Sequence, residues 1–305
     1  MTDFVHSIFR LAGLLLASVA SVAAAEPGGD AVIARVSGEP IYQRELDREL
    51  APAAKLLDTQ AKLPAEVRER ALAQLIDRRL VLAFLVKEKQ AASDQDVDLE
   101  VSRLKQRLSA QEKKLPEHLK TIGMTEAELR REIRWRLSWP RYLAGKLTDE
   151  NLQKYFDKHR REFDGTELKV AHLLLKPADP RTVEETREQA AVIRAEIEAK
   201  KVSFADACRQ HSQAPTAKAG GHIGFIRRRE PMPEAFSAAA FALERDQVSQ
   251  PVETKFGIHL IQVRDVKPGQ KTWQDCRGEL RSAVTQYLFG WIAAQERETA
   301  QVEAN

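Results

Sequence analysis

Glu167-Leu-Lys-Val-Ala-His-Leu-Leu-Leu175 and Gly257-Ile-His-Leu-Ile-Gln-Val263 are the two stretches that decide how this chain is read. Each is a short apolar run bounded by turn residues, the signature of a strand buried inside a sheet rather than at its edge. Each also carries one histidine. Side chains alternate along a strand, so His172 shares a face with Leu174, and His259 with Ile261. An apolar neighbour at that spacing turns both histidines inward. Two inward imidazoles can share a hydrogen bond through complementary tautomers, and the hydroxyl of Thr254 can fix one ring.

The segments between these runs complete a domain. A helix capped by Thr182 and Glu185 is expected to about Lys200, and Ser203 with Asp206 opens a short one carrying Phe204 and Cys208. A Gly-rich loop leads into Ile223-Gly-Phe-Ile226, followed by a turn with Pro231 and Pro233. Mixed strands and helices over about 100 residues, from Asp164-Gly165 to Pro268-Gly269, make a compact α+β domain.

Outside it the pattern is helical. Ala31 to Val36 reads as a short strand that Ser37-Gly38-Glu39-Pro40 turns into helical territory, where roughly four or five amphipathic helices are expected up to about Phe163. Pro64 starts the longest, Ser93 with Asp96 and Thr125 with Glu128 form capping boxes, and another helix begins near Thr148. Thr272 with Asp275 opens a last helix running to about residue 300, with the stripe Cys276, Leu280, Val284, Tyr287 and Trp291. A helical region is thus interrupted by an insert and resumes with one helix, which is expected to pack back on the first part.

Composition narrows the function classes. Basic and acidic residues number 48 and 45, a net charge of +3, without the imbalance of a nucleic-acid binder. The chain is 30% charged and 43% hydrophobic over 305 residues, which excludes wholesale disorder and a polytopic membrane protein. The two cysteines, Cys208 and Cys276, both read as buried free thiols, and the seven histidines show no metal-ligand spacing. At the N-terminus, the apolar stretch Leu11 to Ala20 precedes small residues at Ala23 and Ala25, the layout of a cleaved secretory signal over residues 1–25. The alternative is an uncleaved anchor. Periplasmic work by the mature chain is the expectation, with no stable membrane insertion after cleavage.

Residues 167–266 carry a dense, ordered set of motifs: Val170-Ala-His172-Leu-Leu-Leu-Lys176, Phe204-Ala-Asp-Ala, His211-Ser212, and Gly220-Gly-His-Ile-Gly-Phe225. Met232 with Phe236, then Phe241, and finally Thr254-Lys-Phe256-Gly-Ile-His259 complete it. The segment resembles a parvulin-type (PpiC-like) peptidyl-prolyl cis-trans isomerase domain. The flanking helices, after an exported N-terminus, resemble the SurA/PrsA-like exported foldases in layout. The resemblance implies a small antiparallel sheet with flanking helices, inserted in an all-α module, with divisions at 1–25, 26–163, 164–268 and 269–305. It implies catalytic positions at His172, Thr254 and His259 and a proline pocket walled by Ile223, Met232 and Phe236, with Phe241 and Phe256 as further walls or core. Unfolded polypeptides containing proline are the implied clients, and neither cofactor nor metal is expected.

Two departures from the family pattern bear on activity. The string His211-Ser212-Gln213-Ala214 has Ala214 where many parvulins carry Cys or Asp, with Gln213 or Thr216 as substitutes for the lost polar group. The run Arg227-Arg-Arg229 lengthens the turn before Met232 and reads as a solvated rim or an anchor for acidic client segments. The loop Lys176-Pro-Ala-Asp-Pro-Arg181 includes an acid among its bases, so selectivity for phosphorylated substrates is not expected. The readings left open are an isomerase-foldase, a non-catalytic chaperone with a degenerate parvulin domain, and a purely structural envelope protein.

Overall fold

The computed structural model describes residues 31–56, 63–177, 182–229 and 231–304, so the expected signal segment and most of the loop after Lys176 lie outside the described residues. The first strand, β1 (Val32–Val36), forms a hairpin with β2 (Glu39–Tyr42), where an entry straight into helix was expected. Ser37 and Gly38 both adopt positive φ, the geometry of a tight two-residue hairpin turn. Helices α1 (Gln43–Leu56), α2 (Ala65–Lys87), α3 (Asp94–Ser109), α4 (Leu115–Thr121), α5 (Glu126–Lys146), α6 (Asp149–Lys158) and α7 (Arg160–Phe163) follow. There are more of them than the four or five expected, because α4 and α7 are too short for a 3.6-residue period to register. The capping boxes of Ser93 with Asp96 and Thr125 with Glu128 both form.

The inserted domain comprises β3 (Glu167–Leu175), α8 (Val183–Glu198), α9 (Phe204–His211), β4 (His222–Ile226), α10 (Glu234–Phe241), β5 (Val252–Thr254) and β6 (Gly257–Lys267). Its antiparallel sheet has the order β4-β3-β6-β5, so the two apolar runs are the central strands. Both faces are covered. Ala171, Leu173, Leu175, Ile258 and Leu260 pack under α8 and α9, while Leu168, Val170, Ile261 and Val263 pack under α10 with Phe236 and Phe241.

Helix α11 (Arg277–Arg297) returns to the first module and packs along α2 and α6. It begins later than expected: Thr272 and Asp275 do exchange their hydrogen bonds, but these close a turn ahead of the helix. On its stripe Cys276, Leu280 and Val284 are buried with Leu152, Phe156 and Phe163, whereas Tyr287 is half exposed. The last strand, β7 (Val302–Ala304), pairs with β1 to complete a three-stranded sheet. The module expected to be all-α therefore carries a sheet made from the two distant ends of the described chain. No helix among the described residues is long and apolar enough to cross a membrane.

The two chain crossings between module and insert are stitched together. Thr166 donates its N–H and hydroxyl to Asp164 Oδ1 (2.8 and 2.7 Å), and Lys271 N–H donates to the Asp164 carbonyl at 2.9 Å. Gly269 passes so close that a Cβ there would sit 2.1 Å from the Asp164 carbonyl oxygen, which explains a glycine at that crossing. Of the arginine run, Arg228 is mostly buried and Arg229 reaches across the same seam, while Arg227 and Arg229 stay exposed as a solvated rim would. Arg227 binds Glu167, Arg228 binds Glu162 and Glu234, and Arg229 binds Glu279 while lying over the Phe163 ring.

Candidate functional site

His172 on β3 faces Ile261 of β6 in the ladder, and Leu174 faces His259. The histidines are diagonal neighbours on one face, where long side chains reach one another. Their rings lie nearly parallel with centroids 5.4 Å apart, and the two Nδ1 atoms are 3.2 Å apart. Thr254 Oγ1 lies 2.8 Å from His259 Nε2, and the Phe256 backbone N–H donates to that same hydroxyl oxygen at 3.1 Å. One proton arrangement leaves no hydroxyl orphaned. The Phe256 N–H donates to Thr254, the Thr254 hydroxyl donates to His259 Nε2, and His259 Nδ1–H donates to His172 Nδ1. His172 then carries its remaining proton on Nε2.

Burial sets the charge of this chain. His259 is only 3% exposed, and desolvation, reinforced by the neighbouring imidazole, pushes its pKa down to about 4. Desolvation lowers that of His172 as well. Both rings are neutral at pH 7, so the site offers directed hydrogen bonds without a net charge.

Phe236 is fully buried and presents its edge or face to both imidazoles, at 5.8 Å from His172 and 5.4 Å from His259, with ring planes near perpendicular. Ile223 and Met232 are partly buried against the same cluster. The three apolar residues singled out from sequence thus meet on the histidine face of the sheet. Phe241 is 6% exposed and belongs to the core between α10 and the sheet. Phe256 is exposed and lines a shallow depression with Thr254, Lys176, Pro177 and Val183. Phe241 shares the buried cluster of Ile223, Met232 and Phe236, whereas Phe256 stands outside it.

The supporting residues explain how the face is held. Cys208 Sγ donates to the His172 carbonyl at 3.4 Å, and burial pushes the thiol up to about 12, so it is a neutral packing group and not a nucleophile. Gly221 accepts from the His172 N–H at 2.8 Å, and a Cβ on it would stand 2.3 Å from the His172 carbonyl oxygen. Only glycine, here at φ +81, allows β4 to approach there. Ser212 accepts from the N–H groups of Leu174 (3.1 Å) and Ala214 (3.2 Å) and so ties the end of α9 to β3. Ser249, which sequence reasoning passed over, locks β6 by accepting from the Ile261 N–H at 3.0 Å and donating its own N–H to the Ile261 carbonyl at 2.8 Å. A lone serine in a loop carries no local signal of such a role.

Ala214 is buried and brings no polar side chain. Gln213 does not stand in for one, since its side-chain carbonyl accepts from the Lys176 N–H. The Thr216 hydroxyl is buried with no hydrogen-bond partner among the described residues. No three His, Cys, Asp or Glu among the described residues are grouped as metal ligands would be.

Comparison with known proteins adds to this geometry. Residues 172–265 match the PPIC-type PPIase domain (rotamase) family, and residues 4–142 match the SurA-like N-terminal domain. A foldase protein PrsA of Clostridium botulinum (strain Hall) is 25% identical over 312 residues, covering 90% of this chain and 89% of that protein. A chaperone SurA of Ralstonia nicotianae is 33% identical over 141 residues, 45% of this chain and 28% of that protein. A crystal structure of the peptidylprolyl isomerase PrsA of Bacillus anthracis superposes with a TM-score of 0.36 at 22% identity, covering 75% of this chain and 96% of that one. The chain therefore joins a SurA-like N-terminal domain to a PPIC-type PPIase domain and is a relative of the PrsA foldases and the SurA chaperones.

Proposed function

We propose that this protein accelerates cis-trans isomerisation of X–Pro bonds in unfolded polypeptides, and that His172, His259 and Thr254 form its catalytic face. The observation that carries the reading is the uncharged chain from Phe256 N–H through Thr254 and His259 to His172, packed against Phe236. The uncatalysed barrier is amide resonance, about 18–20 kcal/mol, and isomerisation takes tens to hundreds of seconds. A planar amide is more dipolar than a twisted one, because resonance places charge on its oxygen. A pocket that removes the bond from water therefore favours the twisted state over both planar ones. Ile223, Met232 and Phe236 supply apolar walls for a proline ring, and the neutral imidazoles supply fixed dipoles beside the bond. No covalent step, metal or cofactor is required. Phe256, outside that cluster, is assigned no contact with the proline, and Phe241 backs the walls from the core.

The reading extends to the whole chain. Residues 1–25 would be removed on export, 26–163 and 269–305 would form one client-holding module, and 164–268 would be the isomerase domain working in the periplasm. N-terminal sequencing of the mature protein tests the first part.

The decisive experiment is a protease-coupled or NMR exchange assay on unphosphorylated X–Pro peptides. Acceleration is expected from the full chain, falling by about tenfold or more in His172→Ala/His259→Ala. Well-folded protein with no acceleration would sink the isomerase reading. A second reading, a chaperone that binds extended chains without catalysis, is favoured by buried Ala214 and the side-chain carbonyl of Gln213 being engaged elsewhere. Suppression of client aggregation with no rate effect on X–Pro peptides would establish it.

A further inference from the structure

The segment between β4 and α10 connects the walls of the apolar pocket: Ile223 lies before it, Met232 within it and Phe236 just after it. Its acidic anchors are divided between the inserted domain, Glu167 and Glu234, and the helical module, Glu162 and Glu279. Arg228 is mostly buried at 16% exposure and has all three guanidinium nitrogens engaged. Nε donates to Glu162 of α7 at 3.1 Å, while Nη1 and Nη2 donate in a fork to Glu234 at 2.8 and 2.7 Å. Glu234 opens α10, two residues before Phe236. Arg229 reaches Glu279 of α11 at 3.1 Å and stacks on Phe163 of α7. Glu162 is itself held by His159 at 2.9 Å, at the end of α6.

We infer that Arg228 and Arg229 are positioning residues through which Glu162 and Glu279 of the helical module set the geometry of the pocket formed by Ile223, Met232 and Phe236. The planar guanidinium of Arg228 is the part suited to this, because its fork fixes the first turn of α10 while its third nitrogen reaches the other module. A client that moves α7 or α11 would then alter the pocket without touching it. The activity arm of this inference rests on the isomerase reading, whereas its structural arm does not.

The test uses the full chain labelled with ¹³C-methyl methionine. Of its three methionines, Met232 lies in the coupled segment and Met124 in the helical module, packed with α3 and α4 residues. In Glu162→Gln/Glu279→Gln the Met232 methyl signal is expected to shift or broaden while that of Met124 stays in place. The X–Pro rate constant kcat/KM is expected to fall about fivefold, and added salt near about 0.5 M is expected to carry wild type towards the variant. Glu162→Asp/Glu279→Asp, which keeps the charges, should restore part of both effects. Glu244→Gln, which loosens an exposed pair with Arg161 at the same seam, should leave Met232 unmoved. A Met232 signal unchanged in the double Gln variant overturns the inference whatever the rate does. An inactive wild type whose Met232 signal does respond instead rejects the isomerase reading and keeps the coupling.

Discussion

The candidate site buries its two imidazoles without charge, whereas the helical module buries Glu45 and Glu128 against arginines. At the site, His172 and His259 are kept neutral by desolvation and satisfied by a directional chain of hydrogen bonds. In the first module, Glu128 is 4% exposed and takes Arg44 at 2.9 Å and Arg48 at 3.4 Å, while its other role is to cap α5 through the Thr125 N–H. Glu45 is 9% exposed, pairs with Arg79 and faces Arg131 at 3.8 Å. Ion pairs join α1, α2 and α5 tightly but require every partner. A neutral chain tolerates an apolar pocket beside it, which is what a proline ring needs.

Acid acts on His259 and on Glu45 in opposite directions. His259 has its native pKa pushed down to about 4 against 6.5 for an unperturbed imidazole, so the unfolded chain takes up the proton first. Its contribution is intact above pH 6.5 and is lost as pH falls towards 4. Burial raises the pKa of Glu45, so protonation relieves that carboxyl and its contribution grows as pH falls.

The comparison can be broken most severely at Glu128. Glu128→Ala removes the buried carboxylate that both Arg44 and Arg48 bind and is expected to cost about 3–5 kcal/mol in denaturant unfolding. The X–Pro rate of the fraction still folded should not change, because Glu128 lies away from the Arg228 and Arg229 contacts; a large rate loss there would show that coupling between the regions extends beyond that seam. Next in size, unfolding free energy measured between pH 6.5 and 4 should drop by on the order of 3 kcal/mol through His259. His259→Asn should flatten that slope, and Glu45→Gln should steepen it. A smaller effect is expected from Thr254→Val, which removes the donor to His259 Nε2. About 1–2 kcal/mol of stability and a several-fold loss in kcat with little change in KM are expected, from paired denaturation and kinetic measurements. Smallest is the exposed pair Lys154 with Glu150 on α6, whose removal as Lys154→Met should change stability by less than about 0.5 kcal/mol.

Local patterns carried much of this molecule in the sequence. The apolar alternation around His172 and His259 was enough to make β3 and β6 central strands and to turn both rings to one face, because a strand has only two faces and one bore the apolar neighbours. Ser93, Thr125 and Thr182 announced their helices, since a capping box is complete within four residues. Cys208 and Cys276 were legible as buried thiols from their apolar surroundings, although Cys276 caps α11 and does not lie within it.

Tertiary structure decided whatever depended on partners far along the chain. Strand β7 exists because β1 offers an edge some 270 residues away, and three residues carry too little pattern to declare a strand alone. The pairing of Arg228 and Arg229 could not be read from sequence because their acids, Glu162, Glu234 and Glu279, come from three separate helices that only the closed seam brings together. Phe241 and Phe256 were equivalent as aromatic residues near the motifs, and packing alone sent one into the core and the other to the surface. Sequence by itself determined which residues face inward on each element, a matter of period and local bonding. Which elements meet was settled only by the tertiary structure: packing of α10 on the sheet set Phe236 against the imidazoles, and contact of the inserted domain with the helical module paired Arg228 and Arg229 with their distant acids.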